Sequence, residues 1–169
     1  IRWGALATIV FLHFLMMAPV WHLIARVSAV GGSTGYHRFL LIDNFIRYWD
    51  EWFLIGTLST SHWGFGQQDI TNNYLIQGIT GGALTLVAFV AVIAYAFALV
   101  GRTRKAVVPD LPRDWFVWSV GAMLFTHCVA FLGVSYFGQA NFLWALHIGM
   151  ISALYQFVRH EYAAYEHAD

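Results

Sequence analysis

Charge is the scarcest property of this sequence: Asp, Glu, Lys and Arg make up 11% of 169 residues, against about 25% in an ordinary soluble domain. Nine basic and nine acidic side chains cancel, so there is neither the basic surface that nucleic acid needs nor an acidic tail. The single cysteine, Cys128, has no second thiol for an internal disulfide or a thiolate metal site. These absences exclude a soluble enzyme, a disulfide scaffold, a zinc module and a disordered tail. No metal site and no nucleic-acid partner is expected.

Apolar residues are abundant instead. The chain is 59% hydrophobic, with eight Trp, eight Tyr and fourteen Phe. A domain of about 150 residues leaves roughly a third of its surface in water, so this much apolar matter cannot all lie in a core. For much of the chain the solvent is a lipid bilayer. The sequence opens Ile-Arg-Trp, and its first apolar run is too long for a signal peptide and lacks a small-residue cleavage site. The expectation is part of a longer chain.

No charged residue occurs from Trp3 to Ala25, from Ile70 to Gly101, or from Trp115 to Val158. About 20 helical residues cross a hydrocarbon core of about 30 Å. The third run holds two crossings, divided by the polar stretch from Gly133 to Asn141. The fold class expected is an all-α polytopic membrane protein, a single domain over 1–169 with spans at about 4–25, 76–100, 115–135 and 141–158. Arg2, Arg102, Arg104, Lys105, Arg113 and Arg159 then fall on one side, which the positive-inside rule makes cytoplasmic. Both termini lie on that side, in a bacterial inner membrane, with 159–169 as a cytoplasmic tail. Pro19 should kink the first span, the one hint of a broken helix that a transporter would need.

The outer segment, about 26–75, carries the chemistry. Arg26, Arg38 and Arg47 lie where the charge rule predicts few cations. Gly31-Gly-Ser-Thr-Gly35 is a glycine-rich turn with Ser33 and Thr34 available as N-caps, and Tyr36 to Leu54 reads as an amphipathic helix lying in the membrane interface. Asp43, Arg47 and Glu51 follow at i, i+4 and i+8 on one face; Phe39, Ile42, Phe45, Ile46, Trp49 and Phe53 hold the other. A turn feeding a helix N-terminus, with Arg38 in its first turn, suits a phosphate. The plain alternative is a tight turn with Arg38 snorkelling and Arg47 paired to Asp43 or Glu51. His62, in Ser61-His-Trp-Gly64, is a candidate acid or base.

Four histidines fall in the spans: His13 and His22 on the first, His127 on the third, His147 on the fourth. Neutral imidazole ligates haem iron or a chlorophyll magnesium, although no two share a helix at i, i+4. A His bonded to a neighbouring helix is the simpler reading.

Three segments resemble the O-antigen ligase and polymerase-like membrane glycosyltransferases. Gly31-Gly-Ser-Thr-Gly-Tyr-His-Arg38, the aromatic helix and Leu54-Ile-Gly-Thr57 are similar to a Gly/Ser–Arg–helix–LxGxG stretch. Thr71-Asn-Asn-Tyr-Leu75 with Gly78, Gly81 and Gly82 is similar to the family's HNxYL…G..G. Ala18-Pro-Val-Trp, Gly56-Thr and Asp69-Ile-Thr-Asn72 extend the likeness over most of 18–105. The resemblance implies transfer of a glycan from polyprenyl pyrophosphate on the outer face, with Arg38 binding phosphate and no cofactor. Arg26 and Arg47 are phosphate candidates on charge alone. The family's His before Asn is Thr71 here, which leaves His62 or Asp69 as catalytic candidates. The family's many N-terminal spans are also missing, so the chain by itself is expected to be inert.

The competing expectation is a non-catalytic accessory subunit of a larger photosynthetic or respiratory membrane complex. In that reading His13, His22, His127 and His147 are the residues to contact haem or (bacterio)chlorophyll.

Overall fold

In the computed structural model the described residues are 11, 34–108 and 110–166. They are helical, with no strand among them. Helix α1 runs Thr34–Arg47 and the single turn α2 Trp49–Trp52; a 3₁₀ turn covers Ser61–Trp63. Three long helices follow: α3 Asn73–Val107, α4 Leu111–Ala130 and α5 Gln139–Glu166. The first expected span, at about 4–25, lies outside the described residues, and with it Pro19, His13 and His22; so do Arg26 and Ser33.

Among the described residues, α3 and α5 are long and apolar enough to cross a membrane. In each, 17% of the most apolar stretch is buried within the chain, whereas the central helix of a water-soluble core is mostly covered. The outward faces are largely apolar: Leu84, Val87 and Tyr95 on α3, Trp115, Phe116 and Phe125 on α4, Phe142, Leu146 and Phe157 on α5 are all exposed.

Local sequence sets the helix ends. Asn72 caps α3, its Oδ1 accepting from the Tyr74 and Leu75 amides at 3.0 and 3.1 Å. Val108 turns extended just before Pro109, as the residue preceding a proline prefers. Asp110 caps α4 by accepting from the Arg113 amide, with Pro112 in the first turn, where its missing N–H costs nothing. Helix α3 is central and packs against both α4 and α5. Their shared core holds Ala96, Leu99, Val100, Val117, Val120, Leu124 and Ile151. At the end carrying the basic residues, Arg104 makes a two-pronged bond to Asp114 at 2.7 and 2.8 Å, and Arg113 bonds Glu161 across to α5 at 2.9 Å. The hydrogen bonds from Arg104 hold the Asp114 carboxyl below the usual carboxylate range, against some desolvation.

The opposite end holds a second core, where Leu41, Phe45 and Trp52 pack with Trp63 on Leu75 and Ile79 of α3. Two expectations are corrected here. The expected single helix from Tyr36 to Leu54 divides at Tyr48, whose φ and ψ of −101° and 33° leave the helical region. Its apolar face is therefore split: Phe45 and Trp52 are buried, while Ile46, Trp49 and Phe53 are exposed.

The second correction concerns α3 itself, which is broken at Gly82 (φ 77°, ψ −176°). In an unbroken helix the Ala83 amide would donate to the Ile79 carbonyl. Here the 53–57 segment inserts between them. Ile79 accepts from the Thr57 amide at 2.6 Å, and Ala83 donates to the Phe53 carbonyl at 2.8 Å. The loop thus satisfies the Ile79 carbonyl and the Ala83 amide, the pair that the break parts. From Ala83 to Gly101 there are 19 uncharged residues, a rise of about 28 Å.

Candidate functional site

The charged and aromatic residues of the sequence's outer segment gather around α1, α2 and the 59–69 loop, in two groups. At the α2 end, Glu51 Oε2 accepts from His62 Nε2 at 2.7 Å and from Trp63 Nε1 at 2.9 Å. The Trp63 bond, then that of His62, keeps the Glu51 carboxyl below its ordinary range despite partial desolvation. An ionised carboxylate accepts and cannot donate, so His62 donates from Nε2. Tyr48 stacks on Trp63 with centroids 5.4 Å apart, and the Arg47 guanidinium lies 5.9 Å from the Tyr48 ring. The alternative that pairs Arg47 with Glu51 is not met, because Glu51 is engaged by His62 and Trp63.

The other group lies at the start of α1, nine residues earlier on the same helix at Arg38, or about 13–14 Å along its axis. His37 Nε2 is 2.9 Å from the Asp69 carbonyl oxygen. A carbonyl only accepts, so here too the proton sits on Nε2 and Nδ1 is open. Arg38 is exposed, its guanidinium lies against Gly133 beyond the end of α4, and it has no ion pair among the described residues. Asp69 therefore meets this group through its backbone.

Between the groups lies a pocket of about 480 Å³ walled by Tyr36, His37 and Asn44 of α1 and by Trp63, Phe65 and Gln67 of the loop. Asn44 Nδ2 donates to the Trp63 carbonyl and to Gln67 Oε1, both at 3.2 Å, and Thr60 Oγ1 donates to the Gln67 carbonyl at 2.7 Å. Buried hydrogen bonds thus hold the loop to α1.

The Thr71–Leu75 segment is structural in this fold. Asn72 Nδ2 donates to the Leu132 carbonyl at 3.2 Å, the Asn73 amide to the Phe131 carbonyl at 2.8 Å, and Tyr74 Oη to the Cys128 carbonyl at 3.0 Å. Asn73 Oδ1 accepts from the Tyr136 amide at 3.2 Å. Together they lash the start of α3 to the end of α4. Thr71, where the similar family carries its histidine, has a buried hydroxyl oxygen without a partner.

His127 and His147, two of the four histidines expected in the spans, face each other from α4 and α5. The rings of His127 and His147 have centroids 5.2 Å apart, and His127 Nδ1 is 2.8 Å from Tyr136 Oη. His147 is 3% exposed. Neither of its nitrogens, nor His127 Nε2, has a hydrogen-bond partner, although the Val120 backbone lies close to His147. Rings this near leave no slot for a porphyrin between them. No group of three metal-ligating side chains occurs among the described residues.

Of the residues singled out from sequence, the fold joins Arg47 to the surroundings of His62, sets Arg38 against Gly133, and ties the Asp69 backbone to His37, the residue before Arg38. Thr34 is the first residue of α1. Sequence reasoning missed three residues. Glu51 read as a helix-face charge, since a partner eleven positions away leaves no periodic mark. His37 sits unremarked inside a quoted motif, and Gln67 carried no signal at all. Comparison with family models, curated proteins and solved structures gave no match.

Proposed function

We propose that this chain is a four-span part of the bacterial inner membrane's machinery, and that its outer helix–loop face contributes phosphate-holding and proton-accepting side chains to the transfer of a glycan from polyprenyl pyrophosphate. The largely apolar outward faces of α3, α4 and α5 support the spans; the uncharged part of α4, Trp115 to Ala130, rises about 24 Å. Arg102, Lys105, Arg113 and Arg159 cluster at the opposite end from α1 and mark the cytoplasmic face. The break at Gly82 then lies at the outer edge of the hydrocarbon. Phe53, Leu54, Ile55 and Leu58, all exposed, reach that depth, so α1 and α2 rest in the interface as an amphipathic helix should.

The chemical reading is carried by an exposed arginine, unpaired among the described residues, at the position following an imidazole whose Nε2 is tied to the Asp69 carbonyl. In the proposed step an acceptor hydroxyl oxygen bonds to the anomeric carbon of the donor glycan. The bond from that carbon to the pyrophosphate oxygen breaks, and the electron pair leaves with the pyrophosphate. Arg38 holds the departing charge bidentately. His37 Nδ1 takes the hydroxyl proton. His62 with Glu51 is the same device at the far end of the face, beside Arg47. The resemblance places the phosphate at Arg38, which makes His37 the imidazole for it. Replacing Arg38 by alanine abolishes polymer formation at unchanged protein level; full polymer formation in that variant removes the transferase.

A second reading rests on His127 and His147, whose unpartnered nitrogens are expensive in a membrane interior. There the chain is an accessory subunit of a larger membrane complex, and one of the two imidazoles contacts haem or (bacterio)chlorophyll. The absorption spectrum of the pure protein decides it: a Soret or red band lost on His147→Phe supports pigment contact, and a colourless protein ends it.

A further inference from the structure

We infer that the pocket between α1 and the 59–69 loop binds one neutral sugar ring. Three observations define its occupant. None of the lining residues is an Asp, Glu, Lys or Arg, so the pocket does not select an ion. Its walls are aromatic: Trp63 is buried behind it, while Tyr36 and Phe65, 58% and 104% exposed, stand at its rim with no buried core to serve. The apolar C–H face of a pyranose stacks on such rings. The volume of about 480 Å³ lies within the about 300–1,000 Å³ of small-molecule sites.

Hydrogen bonding supplies the third. Asn44 Nδ2 must be the atom facing the Trp63 carbonyl, because that carbonyl needs a donor. The same Nδ2 faces Gln67, so Gln67 turns its oxygen to Asn44 and its Nε2 away. Gln67 is 1% exposed, and this Nε2 is buried without a partner. His37, its Nε2–H bound to Asp69, keeps Nδ1 near Gly66 on the pocket wall. The wall therefore offers an acceptor at His37 Nδ1 beside its aromatic rings. A sugar hydroxyl donates to that nitrogen while the ring stacks on the aromatic rim, whereas an alkyl chain fills the walls and leaves it unpaired.

That this sugar is the acceptor, held beside Arg38, rests on the transferase reading; the binding itself does not. The test uses the full chain in nanodiscs and four probes, the methyl glycosides of glucose, galactose, mannose and N-acetylglucosamine, followed by saturation-transfer NMR. At least one glycoside should bind at millimolar concentration. Phe65→Ala and Tyr36→Ala, at exposed positions where folding is not at stake, should weaken it at least tenfold. Arg38→Ala should leave it unchanged. Binding that survives while Arg38→Ala still makes polymer would overturn the transferase and keep the sugar site. No glycoside signal up to tens of millimolar, or binding indifferent to Tyr36 and Phe65, would overturn the sugar site. Displacement of the glycoside signal by Arg38→Ala alone would overturn it as well.

Discussion

Replacing Gly82 by alanine tests the splice between the outer loop and α3. A Cβ built at Gly82 would stand 2.5 Å from the Leu54 oxygen, 2.8 Å from its carbonyl carbon and 3.1 Å from the Ile55 nitrogen. All three are backbone atoms, so no side chain can swing aside. The φ of +77° with an extended ψ is itself a region that L-residues avoid, at about 1–3 kcal/mol. Moving the loop outward to admit the methyl breaks the Thr57–Ile79 and Ala83–Phe53 bonds, each worth about 0.5–1.5 kcal/mol net. The expected destabilisation is about 2–6 kcal/mol, or roughly 4–24 °C in melting temperature at this chain length. Gly101→Ala is the control. A Cβ there meets nothing within 4 Å, and alanine is the better helix former by about 0.5–1 kcal/mol, so the variant should match or exceed the wild type. Thermal unfolding of both in one detergent, read by the loss of helical circular dichroism, compares them. A Gly82→Ala melting temperature within about 2 °C of wild type would refute the splice. So would an equal loss in Gly101→Ala.

Two further predictions concern the ties at the helix ends. Asn72→Ala removes the α3 cap and the bond to Leu132, and should cost about 1–2 kcal/mol in denaturant unfolding; Asn72→Asp, which keeps the acceptor, should recover the larger part, and equal losses would argue against capping. The Arg104–Asp114 pair should make stability acid-sensitive. Because Asp114 titrates below its unfolded value, the pair contributes fully above about pH 4 and is lost as pH falls through the lowered native value. The melting-temperature gap between wild type and Asp114→Asn should therefore shrink below about pH 4, and a gap constant with pH would exclude the ion pair as its source.

The long helices were legible because absence of charge over about 20 residues is a one-dimensional property. Uncharged runs anticipated spans at about 76–100, 115–135 and 141–158, and helices stand there as Asn73–Val107, Leu111–Ala130 and Gln139–Glu166, the second ending five residues early. The break in α3 was hidden for a physical reason. Gly81-Gly82 inside an apolar run reads as a tolerated weakness in a helix, and its real cause is a loop 25 to 30 positions earlier whose backbone replaces a helical bond. Hydropathy cannot register a backbone hydrogen bond. The outer helix was found in the right place, but its periodicity ran through Tyr48 because apolar spacing on either side stays in phase. In the site, residue types were visible and partners were not: Glu51 and His62, or His37 and Asp69, are joined by folding across a loop, at separations without helical period.

The same splice connects scaffold to chemistry. Thr57 and Phe53 are fixed to α3 at Ile79 and Ala83, while Trp52, one residue before Phe53, is packed on Phe45 and donates its Nε1 proton to the Phe45 carbonyl at 2.7 Å. Gly78 admits both rings, since a Cβ there would stand 2.9 Å from Phe45 and 3.2 Å from Trp52. Helix α1 is thus held to α3 at its far end through Phe45 and Trp52, and the loop carrying Trp63 and Gln67 is held to α1 through Asn44. Two rigid attachments leave the α1 start, with Tyr36, His37 and Arg38, as the part of the face with the fewest described ties: His37 to Asp69 and the contact of Arg38 with Gly133. The proposed transfer needs fixed walls at Asn44 and Gln67 and freedom at Arg38, and the bonds are distributed in that way.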